Sequence, residues 1–141
     1  MVIQPRCHDK VLRLLEKGVD IPNPLSIDVD EDVDPDRISG EGVRIDAGCR
    51  IQGRETLICP GVRLGREGPV TVDDCQLGPG VELKGGYARR AAFLEGSSMG
   101  LGHHVREGSL LEEQAGGAHC VGLKQTILFP FVTLGLSLIH I

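Results

Sequence analysis

Aliphatic residues recur every six positions through the middle of this 141-residue chain. The spacing shifts by one residue after Leu57 and again after Val70, with aliphatic positions at Ile45, Ile51, Leu57, Ile58, Leu64, Val70, Leu77 and Leu83. Glycines separate them, at Gly48, Gly53, Gly61, Gly65, Gly78 and Gly80. Such short strands cannot bury a face alone, so the repeat predicts stacked coils of three strands and about 18 residues each. We therefore expect an all-β fold, a left-handed parallel β-helix.

The composition agrees with a core of narrow stacked layers. Aromatic residues make up 3% of the chain, Trp is absent, and there are 20 glycines. A β-sandwich, the competing fold, would show alternation over longer strands and fewer glycines. Residues 84–92 (KGGYARRAA) interrupt the repeat, which predicts a loop or bulge that leaves the coil there.

The N-terminal part has a different pattern. Residues 7–17 place their apolar side chains on one helical face, which predicts a short α-helix before the β-helix. Two prolines in residues 21–24 (IPNP) then force an extended connection. The acidic run 28–36 lacks the Gly and Glu that a calcium loop needs, so it predicts a solvated linker or an edge that deters strand pairing. We divide the chain into helix and linker at 1–37 and an incomplete β-helix at 38–135.

Charge and composition exclude several classes of partner. The net charge of −5 argues against nucleic acid, because such binders carry a clustered basic face. No segment resembles a secretory signal or is long enough to span a bilayer, so we expect a cytoplasmic protein without membrane contact. The five cysteines are scattered without a Cys-x-x-Cys pair, so we expect neither a disulfide framework nor a metal site.

Histidines and basic residues of the C-terminal half are the candidate functional residues. His119 is the candidate general base, with His103 and His104 as alternatives, because imidazole titrates near neutral pH. His103 and His119 are separated by nearly one coil and would lie on neighbouring rungs, as a site or as a mere polar stripe. Anionic ligand groups would contact the basic candidates Arg89, Arg90, Arg106 and Lys124.

Motifs of two other enzyme classes are missing from the sequence. It has no Gly-x-Gly-Thr-x-Met loop of the nucleotidyltransferase type and no Walker loop. We therefore expect no uridylyltransferase active site in this fragment.

Five segments carry a resemblance to a known family. They are LGPGVELKGG (77–86), LLEEQAGGAHCVGLKQTILFPFVTLG (110–135), IPNP (21–24), RISGEGV (37–43) and FLEGSSMGLG (93–102). In these segments the chain resembles bacterial proteins related to UDP-N-acetylglucosamine pyrophosphorylase, with hexapeptide repeats. The resemblance implies a transferase-like protein of sugar-nucleotide metabolism, whose ligand is a sugar phosphate or a nucleotide sugar.

The segment GGAHCVG (116–122) is also similar, more distantly, to the acetyltransferase half of the bifunctional N-acetylglucosamine-1-phosphate uridyltransferase. That similarity implies His119 as the base and acetyl-coenzyme A as the acyl donor. The chain departs from the pattern at Cys120 and Val121, where that enzyme continues with Tyr and Gly-Asp. The alternative is a catalytically inactive β-helical binding or scaffold protein. A zinc-dependent β-helical hydratase is a further alternative.

Two expectations concern the whole molecule. We expect a homotrimer that associates through the faces of the coil, because exposed flat apolar faces are usually covered by symmetric copies. The C-terminal segment 136–141 (LSLIHI) matches the translation of a sequencing adapter. We therefore expect the native sequence to continue past Gly135.

Overall fold

The computed structural model of the protein describes residues 8–118 and 121–134. Across these residues it shows all-parallel sheets wound into a β-solenoid of about six turns. One short helix precedes the coils. The parallel β-helix with an N-terminal helix is therefore confirmed.

The helices come first and the strands are short. Helix α1 spans His8–Lys17, and two 3-10 turns lie at Pro24–Ser26 and Pro35–Arg37. The strands are β1 (Asp28–Val29), β2 (Arg44–Ile45), β3 (Arg50–Gln52), β4 (Leu57–Ile58), β5 (Arg63–Leu64), β6 (Val70–Asp73), β7 (Gln76–Leu77), β8 (Glu82–Leu83), β9 (Gly86–Arg89), β10 (Ala92–Phe93), β11 (Ser98–Met99), β12 (His103–Val105), β13 (Leu110–Leu111), β14 (Gly116–Gly117), β15 (Gly122–Leu123), β16 (Ile127–Leu128) and β17 (Thr133–Leu134). In the described part of the chain no helix is long and apolar enough to cross a membrane.

The strands form three parallel sheets, which we call the first, second and third faces. The first face stacks β1, β3, β6, β9, β12 and β15, the second β4, β7, β10, β13 and β16, and the third β2, β5, β8, β11, β14 and β17. Arg44 pairs with Arg63, whereas Glu82 pairs with Ser98, so the coil that begins at Glu82 is the shorter of the two. Coil length therefore varies around the period of about 18 residues that a hexapeptide repeat predicts.

The aliphatic repeat fills the interior of the coil. Ile45, Ile51 and Ile58 are fully buried, or nearly so. Leu57 is only half-buried and lies on the outer side of β4. The one-residue shift after Leu57 thus marks the coil in which Ile58, and not Leu57, occupies the interior position.

One corner of each coil requires a left-handed backbone. Where the second face passes to the third, φ is between +65° and +82° at Gly42, Gly61, Gly80 and Gly96. In the two following coils Gln114 (φ +59°) and Phe131 (φ +64°) occupy the same corner. Glycine adopts this conformation without the steric cost of a Cβ atom, which explains its recurrence between the aliphatic positions.

Residues 84–92 do not leave the coil, so the predicted loop is wrong. They contribute β9, in which Gly86 pairs with Val70 on one side and His103 on the other. A Cβ atom on Gly86 would lie 2.3 Å from the carbonyl oxygen of His103. The repeat is interrupted in the sequence, but the chain stays in the coil. The coil is shorter there, and glycine occupies the position where two strands approach closely.

The acidic segment is part of the first coil. Within it, Asp28 of β1 pairs with Arg50 of β3, and their side chains form an ion pair at 3.5 Å. Val29 and Val33 of the same segment are buried. The parallel coils thus begin before the boundary at residue 38 that the sequence suggested, because apolar residues alternate with the acidic ones and point inward.

Helix α1 caps the N-terminal end of the stack. Its residues Val11 and Leu14 are fully buried against the first coil. The Lys10 ammonium donates to main-chain oxygens of the first coil, at Asp30 (3.1 Å), Val33 (2.8 Å) and Glu31. The Lys17 ammonium donates likewise to Pro35 (2.8 Å) and Ile38. Two lysines thereby satisfy carbonyl groups at the edge of the stack, which protects that edge from pairing with another chain.

We expect Lys10→Met to lower the free energy of unfolding by about 1–3 kcal/mol, because charge-assisted hydrogen bonds to main-chain oxygens are lost. Urea denaturation measures the change. Lys84→Met is the matched control, since the Lys84 side chain makes no hydrogen bond or ion pair among the described residues. Equal losses in the two variants would contradict the capping role of Lys10.

Three of the large exposed apolar side chains in the described residues lie on the second face. Its outward positions include Leu94 (42% exposed), Ile127 (56%) and Phe129 (66%). The other two faces carry ion pairs instead, such as Asp73 with Arg89. If the protein is a homotrimer, the second face is the surface that another copy would cover.

We expect light scattering to give three times the chain mass, and Leu94→Glu to shift the protein toward monomer by placing charge in the contact. Leu101→Glu changes a similarly exposed leucine and should leave the mass unchanged. A monomer in the unmodified protein at micromolar concentration would refute the trimer.

Candidate functional site

His103 and His104 are neighbours in β12 and point in opposite directions, as successive strand residues do. The His103 side chain lies in the interior and is 2% exposed. The His104 side chain is exposed on the first face. Of these two candidate bases, only His104 is open to a ligand.

The His103 imidazole fills space that glycine leaves free. Its Nδ1 atom lies 3.0 Å from the carbonyl oxygen of Gly100. A Cβ atom on Gly86 in the adjacent strand would lie 2.9 Å from that same Nδ1. The Nε2 atom is buried and has no hydrogen-bond partner among the described residues. Burial lowers the pKa of His103 below its usual 6.5, so this imidazole is neutral in the folded protein.

Tyr87 and His104 form a ring pair on the first face. They are direct neighbours on adjacent strands, and their ring centroids lie 5.1 Å apart with an interplanar angle of 76°. This edge-to-face arrangement is favourable for aromatic side chains. The pair presents a flat, partly apolar surface with polar tips.

A cationic strip of Arg89, Arg106 and Lys124 runs beside the ring pair. Val105 pairs with Ala88 and with Leu123, so the residues that follow them lie on three successive rungs. Parallel strands are about 4.8 Å apart. Arg89 forms an ion pair with Asp73 at 3.7 Å, whereas Arg106 and Lys124 have no ion pair within the described residues. The three cations of the strip thus have one ion pair among them in the described residues, so positive charge is in excess there.

The Glu107 carboxylate lies beside this strip and is affected by its positive charges. Its pKa is lowered, first by a hydrogen bond from its own backbone amide and then by the positive charges of Arg106, Arg89 and Lys124. Together with the ring pair, Arg89, Arg106 and Glu107 line a shallow cavity of about 530 Å³. The cavity combines cationic groups, an aromatic surface and one carboxylate.

Arg90 lies apart from this cavity. It occupies the corner after β9 with φ +48°, and its Nε atom is 4.0 Å from a carboxylate oxygen of Asp74. It lines a separate depression of about 370 Å³ with Glu55 and Asp74. The structure thus brings together three of the four basic candidates, and Arg90 is not among them.

Two of the predictions from the sequence, the base His119 and the continuation of the native sequence past Gly135, concern residues outside the described ranges. His119 lies outside the described residues, as do Gly135 and the segment 136–141. Within the described ranges, no group of three or more His, Cys, Asp or Glu side chains is arranged to hold a metal ion. The described cysteines Cys49, Cys59 and Cys75 are free thiols.

Sequence reasoning did not single out Tyr87 or Glu107 as site residues. Their adjacency to other site residues depends on the length of the coil. Tyr87 and His104 are one position closer in the sequence than a regular coil would place them, and the same is true of Arg89 and Arg106. With a fixed period of about 18 residues those pairs would be out of step. Only the pairing of β9 with β12 shows that each pair is adjacent.

We expect the buried neutral His103 to make the fold sensitive to acid. Because its native pKa is below 6.5, the unfolded chain binds a proton first as the pH falls. The contribution of His103 to the free energy of unfolding should therefore be constant above about pH 7 and decrease between about pH 6.5 and 5. Urea denaturation across this range should give a shallower decrease for His103→Met. His104→Gln should keep the unmodified dependence, and equal slopes in all three proteins would contradict the assignment.

Comparisons of the chain with protein-family models, with curated proteins and with solved structures found no match. The similarity to proteins related to UDP-N-acetylglucosamine pyrophosphorylase therefore stays a prediction from the sequence. What is shown is a parallel β-helix with a cationic, partly aromatic cavity on its first face.

Proposed function

We propose that the first face binds a sugar phosphate or nucleotide sugar, in a transferase-like protein of cytoplasmic sugar-nucleotide metabolism. The observation that carries the proposal is the alignment of Arg89, Arg106 and Lys124 on successive rungs beside an exposed ring pair. Phosphate groups match the first feature, and a sugar or base matches the second.

The charge of the cavity favours phosphate. Arginine binds phosphate oxygens through two parallel N–H donors, and lysine adds a point charge. Arg106 and Lys124 lack an ion pair among the described residues, so a ligand would not have to displace a carboxylate from them. A diphosphate that follows the strip would contact two rungs, since these are about 4.8 Å apart.

The ring pair supplies the other half of the recognition. Tyr87 and His104 offer apolar ring surface together with a hydroxyl and an imidazole nitrogen. A sugar ring has the same mixture of apolar C–H groups and hydroxyls. A ligand with its phosphate on Arg106 would place the attached sugar or base over the adjacent rings.

A transfer step needs a base near the acceptor. His104 is the exposed imidazole at the cavity, and the resemblance implies His119 for the same role. With acetyl-coenzyme A as donor, the sugar amine would attack the thioester carbonyl. An amide bond would form and the C–S bond would break, which releases coenzyme A as its thiolate. The imidazole would take the proton from the attacking nitrogen and pass it to that thiolate. Without a competent base, the same cavity would make the protein a binding or scaffold protein.

Isothermal titration with UDP-N-acetylglucosamine and with glucosamine-1-phosphate tests the binding. We expect Arg106→Gln to weaken the affinity about 10- to 100-fold, because a charge-assisted hydrogen bond contributes about 1.5–3 kcal/mol. Arg54→Gln removes the same charge from an exposed turn and should have no effect. Absence of binding at millimolar ligand, or equal affinities of the two variants, would refute the proposal.

Measuring the release of coenzyme A after acetyl-coenzyme A is added to the protein and glucosamine-1-phosphate, the ligand with a free amine, separates the two roles. Turnover that falls about 100-fold or more in His104→Ala or in His119→Ala identifies the base and supports a transferase. Binding without any turnover supports the scaffold alternative.

A further inference from the structure

A second charged cavity lies on the third face, at the N-terminal end of the molecule. It has a volume of about 600 Å³ and lies where the chain leaves α1 and meets the first two coils. Arg44, Arg63 and Arg66 line it together with Asp20 and Asp46. It shares no lining residue with the cavity of the first face.

Both carboxylates in this cavity are already paired with one arginine. Arg44 contacts Asp20 at 3.3 Å through its Nη1 atom and Asp46 at 3.1 Å through its Nε atom. Both acidic side chains of the cavity wall thus share the guanidinium of Arg44. They leave Arg63 and Arg66 to determine what the cavity attracts.

Arg63 lies on the rung between Arg44 and Glu82 and has no acidic partner of its own in the described ranges. Glu82 is its direct neighbour, but the Glu82 carboxylate pairs with Arg66 at 3.5 Å. On the other side Arg63 faces the like charge of Arg44, about 4.8 Å away at the main chain. Like charges directly opposite each other on adjacent strands are destabilising.

A bound oxyanion would remove that repulsion. The planar guanidinium of Arg63 can donate two parallel hydrogen bonds to a phosphate or a carboxylate. Arg66, on the turn that follows β5, lines the same cavity and holds Glu82 only by a long ion pair. The three arginines of the wall outnumber its two aspartates by one, and Arg63 is the arginine without a carboxylate partner in the described ranges.

We infer that this cavity is a second anion site, in which Arg63 and Arg66 bind the phosphate or carboxylate group of a small metabolite. The site is independent of the function proposed for the first face. Because residues after α1 form part of its wall, a ligand bound there would also connect the capping helix to the first two coils.

Titration of the full chain with inorganic phosphate, followed by amide NMR, tests this site. The Gly18 and Gly42 amides line the cavity and should shift on binding, separately from the amides of Tyr87 and His104 on the first face. We expect Arg63→Gln to raise the phosphate Kd at Gly18 and Gly42 at least about tenfold. Citrate in a parallel titration shows whether a carboxylate ligand binds more tightly than phosphate.

Arg54→Gln again controls for the loss of one positive charge and should leave the Kd unchanged. Thermal melting shows whether Arg63→Gln is folded. If it is not, Arg63→Lys keeps the charge, loses the planar fork and should still weaken binding. The inference is overturned if Gly18 and Gly42 do not shift, or if the folded Arg63 variant titrates like the unmodified protein.

Discussion

Main-chain hydrogen bonds between successive coils determine which residues lie above one another, and the other features of the molecule depend on that alignment. The Leu94 amide, for example, donates to the Leu111 carbonyl at 2.8 Å, one coil further along the chain. Side chains that are a whole coil apart in the sequence thereby become direct neighbours on a face. The Asp28–Arg50 and Asp73–Arg89 ion pairs are both of this kind. The binding surfaces of the protein are columns across coils and not local motifs.

The fold could be predicted because its signal is local. A regular spacing of aliphatic positions with glycine between them can be seen within any two coils, and the structure places Ile45, Ile51 and Ile58 in the interior accordingly. The start of the coils was harder to predict, because acidic residues around Val29 and Val33 hid the inward alternation. The interruption at residues 84–92 was misread because the coil can shorten without opening a loop.

The candidate site could be predicted only in part, since it depends on coil length. The sequence marked Arg89, Arg106 and Lys124 as basic candidates, but the sequence distances that align them differ from one coil to the next, and no local pattern reveals this. Which of His103 and His104 points outward depends on the phase of β12, and a shift of one residue would exchange them. Net charge was equally uninformative about small ligands. A chain of net charge −5 still has two positively charged cavities, one on the first face and one on the third.

The contact between Gly86 and His103 has a consequence for how the interior can change. A Cβ atom at position 86 would meet the His103 main chain first, at 2.3 Å from its carbonyl oxygen and 2.8 Å from its nitrogen, and the ring nitrogen only at 2.9 Å. A smaller side chain at position 103 would leave the two main-chain contacts in place, and Gly86 would still need its φ of +143°. Position 86 therefore has to remain glycine whatever side chain lies at position 103. The imidazole can keep its place in the interior because no side chain from the preceding coil can ever compete for that space.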